Sequence, residues 1–310
     1  MKKGLVIKST GSWYSVKDTQ TGEVISCAIR GKLRIEGIKS TNPVAVGDYV
    51  KYDLPVKSDT GIIHQVLDRK NYIVRKSTNL SKQTHILAAN IDQAILMVTL
   101  KNPVTYSIFI DRFLITAEAY EIPAKLIFNK IDLYNDEEAQ QLNDFIKAYK
   151  IAGYDCIQTS VTQKINIDKT EQLLKNKVTL IAGNSGVGKS SLINLIDPAL
   201  NLKTSEISNY HKSGKHTTTF AEMIDLCIGG SIIDTPGIRG FGLHDIEKEE
   251  LFHYFPEIFK ASADCKFYNC THVHEPGCAV KKAIEEEKIH PMRYNNYLNI
   301  LFDENSKHRL

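Results

Sequence analysis

The sequence predicts a multidomain chain: an N-terminal all-β barrel, a central α/β domain on a parallel sheet, and a C-terminal α-helical domain around clustered cysteines. Three observations predict it. Residues 1–70 hold short runs rich in Val, Ile and Tyr, separated by turn residues. From about residue 73, strand-like runs alternate with helix-like ones. After Gly242 the chain turns helical and polar around Cys265, Cys270 and Cys278. The boundaries that follow are 1–72, 73–243 and 244–310, and 310 residues suffice for two domains or for three when the end domains are small.

The first domain rests on five runs: GLVIKST, SWYSVKD, EVISCAI, DYVKYDL and GIIHQVL. Turn signals such as Asn42-Pro43 and Gly47-Asp48 lie between them. Five strands in this length favour a small barrel, of which the OB-fold is the commonest nucleic-acid binder; an SH3-like barrel reads the same way. Residues 1–70 carry 12 Lys/Arg against 7 Asp/Glu, whereas the whole chain is only +3. A basic end on a near-neutral body suggests a polyanionic partner there. Lys8, Lys17, Arg30, Lys32, Arg34 and Lys39 interleave with Trp13, Tyr14 and Tyr49, a pattern able to grip phosphates and stack on bases. Trp13 is expected to be partly buried in the barrel.

In the second domain, QAILMVT at 93–99 reads as a buried strand, 110–120 as a helix and 125–128 as a strand. A helix over 136–149 would place Leu142, Phe145, Ile146 and Tyr149 on one face, with acidic residues in its first turn. DCIQ is a further strand. Residues 178–182 form another, ending in a glycine loop, and 190–196 a helix that stops near Pro198. AEMIDLCI and SIIDT flank Gly229-Gly230, a hairpin signal, so the parallel sheet gains an antiparallel pair.

The loop itself, GNSGVGKS, matches G-x-x-x-x-G-K-[ST] between strand and helix. Glycines let backbone N–H groups turn inward around phosphate oxygens, and the helix start adds partial positive charge. Gly183, Asn184, Ser185, Gly186, Val187, Gly188, Lys189, Ser190 and Ser191 are the candidate phosphate-binding residues. Lys189 reaches the β- and γ-phosphates and Ser190 ligates Mg²⁺. Upstream, Asn129-Lys130-Ile131-Asp132 follows a strand. A carboxylate at Asp132 can accept from both N1–H and the 2-amino group of guanine, which adenine lacks. Asn129 can hold the ring's other edge, the Lys130 stem can cover its face, and Thr159-Ser160 can offer a backbone donor to O6. Asp234-Thr235-Pro236-Gly237 ends a strand: Asp234 can hold Mg²⁺ through water and Gly237 N–H can meet the γ-phosphate. Within Thr217-Thr218-Thr219, Thr218 is the candidate second hydroxyl for Mg²⁺.

The guanine reader precedes the phosphate loop, the reverse of the usual GTPase order, so the chain reads as circularly permuted. These residues, with the barrel-like start and the cysteine cluster, resemble the ribosome small-subunit-dependent GTPase A (RsgA, YjeQ) family across essentially the whole chain. The resemblance implies an OB-fold, a permuted P-loop GTPase domain and a zinc domain. It also implies a role in late assembly of the small ribosomal subunit, with hydrolysis of GTP to GDP and phosphate stimulated by that subunit and contact with its rRNA.

Many GTPases orient the attacking water with a Gln just after the D-x-x-G glycine; here that position is Ile238. Slow intrinsic turnover is therefore expected. His216, next to the threonine cluster, is the favoured polar substitute, with Arg239 and His244 also near, so His216, Lys189 and Thr218 form the candidate catalytic set. The alternative is that the ribosome itself orders the water.

Cys265-x₄-Cys270-x-His272-x₅-Cys278 supplies three thiolates and an imidazole, a closed set for structural zinc. His274 competes for the fourth place; the family spacing selects His272. Cys27, Cys156 and Cys227 are expected as free, buried thiols in β-like segments. No apolar run reaches the roughly 18 residues of a membrane span, and Lys2-Lys3 is not followed by a signal-peptide core. The expectation is a cytoplasmic monomer. A regulatory GTPase answering to a protein activator is the rival class. Because the DTPG segment leads into the cysteine domain, nucleotide state is expected to alter that domain's pose.

Overall fold

The computed structural model describes residues 1–29, 43–55, 58–76, 84–202, 221–234 and 246–303. The five expected barrel strands are present: β1 (Lys2–Ser9), β2 (Tyr14–Asp18), β3 (Val24–Ile29), β4 (Tyr49–Asp53) and β5 (Thr60–Val66). They run in the order β1-β2-β3-β5-β4, and pairing of β1 with β4 closes the barrel. Alternation puts Val6, Tyr14, Val16, Ile25, Cys27, Val50, Tyr52 and Ile63 inside. Tyr14 is therefore core, whereas Trp13, expected partly buried, is about half exposed (51%) on the β1–β2 turn.

A hairpin not foreseen from the sequence, β6 (Tyr72–Lys76) and β7 (Thr84–Ala89), follows the barrel. It is fastened to it where Ala89 N–H donates to the Val46 carbonyl (2.9 Å) and the Asn90 amide to the Gly47 carbonyl (2.8 Å). Gly47 has φ +91° and sits so close that a Cβ would lie 2.0 Å from the Ala89 carbonyl oxygen. Only glycine fits there.

The α/β sheet has the order β10-β9-β8-β11-β13-β12. Its strands are β8 (Gln93–Val98), β9 (Ala124–Phe128), β10 (Asp155–Gln158), β11 (Val178–Ala182), β12 (Glu222–Asp225) and β13 (Ser231–Asp234), all parallel except β12. Strand β8 lies at the centre and is buried throughout. Ala94, Leu96 and Val98 face one layer with α1 (Ser107–Ala119) and α2 (Asp136–Ile151), packing on Ile110, Phe113, Leu142 and Tyr149. Ile95 and Met97 face the other with α3 (Ile167–Leu174) and α4 (Lys189–Ile196). Helix α2 starts as expected: Asn135 accepts from Glu138 N–H while the Glu138 carboxylate accepts from Asn135 N–H, both at 2.9 Å.

Barrel and sheet meet edge to edge, with Lys8 of β1 opposite Glu222 of β12. Lys8 pairs with Glu222 at 3.1 Å and Lys17 with Asp225 at 2.5 Å. Two lysines expected to grip RNA are thus engaged inside the molecule. Arg30, Lys32, Arg34 and Lys39 lie outside the described residues.

The C-terminal part comprises a 3₁₀ segment (Lys248–Tyr254), α5 (Pro256–Ser262), α6 (Ala279–Glu285) and α7 (Pro291–Phe302). Proline opens α5 and α7, where its missing N–H costs nothing. Leu251, Phe255, Ile258, Val280, Tyr297 and Ile300 pack around Ile115 of α1. At this junction Arg293 is fully buried. Its guanidinium donates to Asp111 Oδ1 (2.6 Å) and to Glu257 Oε1 (2.7 Å) and Oε2 (3.1 Å), and lies 4.6 Å from the Phe255 ring centre. Burial pushes the Asp111 carboxyl up, against the pull of Arg293 and the Asn296 amide. Of the lone cysteines, Cys27 is buried as expected, Cys156 is half-buried, and Cys227 is exposed in the turn beyond β12 rather than in a strand. Among the described residues no helix is long and apolar enough to cross a membrane.

Replacing Arg293 by Met would leave Asp111 and Glu257 buried without their cation. Urea unfolding is expected to show a loss of about 3–5 kcal/mol; a loss below about 1 kcal/mol would contradict this account of the junction.

Candidate functional site

The parallel strands bring three loops together at their carboxyl ends. Val98 of β8 is in register with Phe128 of β9, Phe128 with Gln158 of β10, and Leu96 with Ala182 of β11. Residues 129–132 and 159–160 therefore leave neighbouring strands and 183–190 leaves β11, one strand beyond β8, all at the same end of the sheet, the usual place for a ligand in such sheets.

The phosphate loop runs from β11 into α4. Gly183, Gly186 and Gly188 all have positive φ (142°, 84° and 107°). Lys189 closes the loop by donating Nζ to the Gly183 carbonyl (2.6 Å) and the Asn184 carbonyl (3.0 Å). Ser190 is buried at the first turn of α4, and Ser191 follows on that helix. Asn129 is buried as well. Its Nδ2 donates to the Val187 carbonyl (2.8 Å), and its Oδ1 accepts from the Thr159 hydroxyl (3.0 Å). An amide has two N–H groups, so one remains for a base edge. A Cβ at Gly188 would sit 2.4 Å from Asn129 Nδ2, so the glycine is what lets the reader touch the loop.

Lys130 takes a left-handed conformation, φ 64°, and its Nζ donates to the Asn102 carbonyl. Ile131 and Asp132 form a single 3₁₀ turn with Leu133. Asp132 Oδ2 accepts from the Thr162 hydroxyl at 3.2 Å, while Oδ1 is buried with no partner. The Ser160 hydroxyl, set against the cost of burial and helped by Thr162, lowers the Asp132 pKa and keeps it a carboxylate. A buried, unpaired carboxylate oxygen is costly unless a ligand donor meets it, so the residues present fit a guanine. The expected O6 donor is less free: Thr159 N–H is spent on Phe128 O (2.8 Å), and Ser160 N–H makes a long 3.3 Å bond to Ile165 O.

Asp234 ends β13 in register with Ile181 of β11, which brings its backbone to the loop. Its side chain, and Thr217, Thr218, Thr219, His216, Gly237, Ile238, Arg239 and His244, lie outside the described residues. Sequence reasoning missed Tyr134, whose hydroxyl donates to the Asn129 carbonyl. No sequence signal marks it, since it stands where a helix lead-in would.

The second centre is the cysteine cluster. The ligand atoms of Cys265, Cys270, His272 and Cys278 lie within 4.8 Å of one another. His272 Nδ1 is 3.6 Å from the sulfurs of both Cys265 and Cys278, and those sulfurs are 4.0 Å apart. Tetrahedral Zn–S bonds of about 2.3 Å place ligand atoms roughly 3.7 Å apart, so the cluster fits zinc with side-chain shifts of about 1 Å or less. His274, the competing candidate, is exposed and outside it. Glu275 shapes the ligand loop by accepting from Thr271 N–H (2.7 Å), the Thr271 hydroxyl (2.6 Å), Val273 N–H (3.0 Å) and His274 N–H (3.1 Å). Burial works to raise the Glu275 pKa, but these bonds hold it down at about 2.

The fold and both centres define a class: a P-loop domain whose N-K-x-D turn precedes its G-x-x-x-x-G-K-S loop, between a small barrel and a cysteine–histidine cluster with the spacing of a metal site. Residues 66–244 match the RsgA GTPase family and residues 3–63 the RsgA N-terminal domain. The chain is 56% identical over 308 residues to the small ribosomal subunit biogenesis GTPase RsgA of Phocaeicola vulgatus, covering 99% of each chain. It is 54% identical to that of Christiangramia forsetii, covering 99% of this chain and 98% of the relative. Among solved structures it resembles YjeQ from Thermotoga maritima (TM-score 0.78, 36% identity, covering 97% and 98%). It also resembles YloQ, described as a circularly permuted GTPase (TM-score 0.74, 31% identity, covering 97% and 94%). The chain belongs to the RsgA GTPase family.

Gly188→Ala would drive a methyl into the Asn129 amide at an already strained φ. Calorimetry is expected to show GDP affinity falling by about 100-fold or more; unchanged affinity would contradict the packing described.

Proposed function

We propose that this protein hydrolyses GTP to GDP and phosphate at the junction of its three loops, and that it does so on the small ribosomal subunit during biogenesis. One observation carries the nucleotide part: Asp132 keeps a buried, unpaired oxygen in the turn that begins at Asn129, whose own amide is bonded to the phosphate loop. The ribosomal part is supported by the relatives' names at 54–56% identity over nearly the full chain.

In this reading Asp132 accepts the guanine N1–H and 2-amino group, Lys130 covers the ring, and Ile131 and Ser160 complete the base pocket. The N–H groups of residues 183–191 cradle the phosphates, and Lys189 leaves its loop carbonyls to meet them. Ser190 and Thr218, with Asp234 through water, would hold Mg²⁺, which neutralises charge on the phosphates. Gly237 N–H meets the γ-phosphate. His216 would orient the attacking water, since Ile238 has no polar group to do so. Cys265, Cys270, His272 and Cys278 hold one structural zinc, leaving no open position for catalytic water. The barrel contacts rRNA. The working form is a cytoplasmic monomer with functional divisions at 1–72, 73–243 and 244–310.

With Ile238 in the water-orienting position, the chain alone should turn GTP over slowly. Turnover should be measured alone, with isolated small subunits and with an unrelated RNA. Stimulation by small subunits, toward the roughly 10³–10⁵-fold that a supplied group can give, is expected. Fast turnover alone, or no response to small subunits, would overturn the reading, and the latter would favour a protein-activated switch. Metal analysis is expected to find one zinc per chain, lost in Cys278→Ala together with the thermal stability of the C-terminal helices. A metal-free, fully stable wild type would refute the zinc assignment.

A further inference from the structure

The loop between β8 and α1 touches both halves of the nucleotide site. Its Asn102 carbonyl accepts from Lys130 of the guanine reader, and its Val104 carbonyl accepts from the Asn184 amide of the phosphate loop at 3.3 Å. Pro103 packs under Gly186, with its Cδ 3.8 Å from where a Cβ would stand. Residues 101–105 therefore form a strap across the seam between base pocket and phosphate pocket. The strap is closed on itself: Thr105 N–H donates to the Thr99 carbonyl (2.9 Å) and the Thr99 hydroxyl to the Pro103 carbonyl (2.6 Å).

Beside Lys130, a second side chain fixes this strap to the reader. The Tyr134 hydroxyl donates to the Asn129 carbonyl (2.9 Å) and accepts from Leu100 N–H (2.9 Å). Lys101 stands over the Tyr134 ring, 5.9 Å from its centre, and is pinned by an ion pair to Glu138 at 2.5 Å. Tyr134 is half-buried, and burial raises its pKa, so the hydroxyl keeps the proton it donates. Without that hydroxyl, a carbonyl and an N–H lose their partner, and the turn carrying Asp132 is held to the strap by the flexible Lys130 side chain with the backbone anchor at Asn129 gone.

We infer that Tyr134 is a positioning residue for guanine-nucleotide binding, holding the base-reading turn and the phosphate loop in mutual register through the 101–105 strap. The inference rests on the reading of Asn129 to Asp132 as the guanine reader. Tyr134 touches no nucleotide in this scheme; it acts through the Asn129 carbonyl and Leu100.

The test compares full-length wild type, Tyr134→Phe and Tyr154→Phe. Tyr154 donates to Glu118 at 3.0 Å on the far side of α1, so it reports the loss of a hydroxyl elsewhere in the domain. Affinities for GDP and for inosine diphosphate, which lacks the 2-amino group, are measured along with the melting temperature. Tyr134→Phe is expected to weaken GDP about tenfold and to reduce the GDP-over-IDP preference, while Tyr154→Phe keeps the wild-type preference. A lower melting temperature with an unchanged preference in Tyr134→Phe would make the residue merely structural and overturn the inference. So would wild-type affinity for both nucleotides, or an equal loss of preference in Tyr154→Phe. A wild type that binds ADP as well as GDP would instead sink the guanine reading itself.

Discussion

The Asn129 carboxamide is the contact on which the site depends. It is buried, it donates to the Val187 carbonyl of the phosphate loop, and it accepts from Thr159 at the end of β10. Three segments, far apart in a chain whose reader comes first, are thereby joined through one side chain. The parallel register brings their backbones to one end of the sheet, with β8 between β9 and β11, but strand pairing alone fixes loops only loosely. The amide, with Gly188 making room for it, turns proximity into fixed geometry. Asp132 then waits with one satisfied and one unsatisfied oxygen.

The two ends of the molecule are attached by different physics. The barrel meets β12 through Lys8–Glu222 and Lys17–Asp225, pairs with substantial solvent exposure. Such pairs contribute roughly 0–1 kcal/mol each, and the firmer tie is the hairpin seated against Gly47. The C-terminal helices are held by Arg293, buried between Asp111 and Glu257 and flanked by aromatic rings. Removing its charge is costly, whereas trading the whole triad for apolar packing need not be. The barrel edge is thus the more easily displaced contact, and β12 lies on the strand pair that ends at Asp234.

Much of this was legible in the sequence because local signals agreed with the fold. Residues 94–98 (AILMV) are apolar throughout because β8 is covered on both faces. The apolar face of Leu142, Phe145, Ile146 and Tyr149 announced α2, and Gly229-Gly230, with φ of 81° and 88°, announced the β12–β13 turn. The phosphate loop was legible because its glycines have no substitute. Other features were not. Tyr72 to Ala89 gave no hairpin signal that could be told from the start of the α/β rhythm. Trp13, expected partly buried in the barrel, is half exposed because it stands at the β1–β2 turn, and nothing local reveals that the chain is turning there. Lys8 and Lys17 carry the composition expected of an RNA-binding face, yet their partners lie more than 200 residues away. Tyr134 and Arg293 act through contacts that only the assembled fold creates.

The central claim is that a guanine base is read by Asp132 while Asn129 keeps its hold on the phosphate loop. A crystal structure of the GDP–Mg²⁺ complex tests it most directly. The guanine N1 and 2-amino nitrogens are expected within about 2.7–3.2 Å of the Asp132 carboxylate, with the Asn129–Val187 hydrogen bond intact. A base bound elsewhere, or an Asn129 amide released from Val187 by the nucleotide, would contradict it.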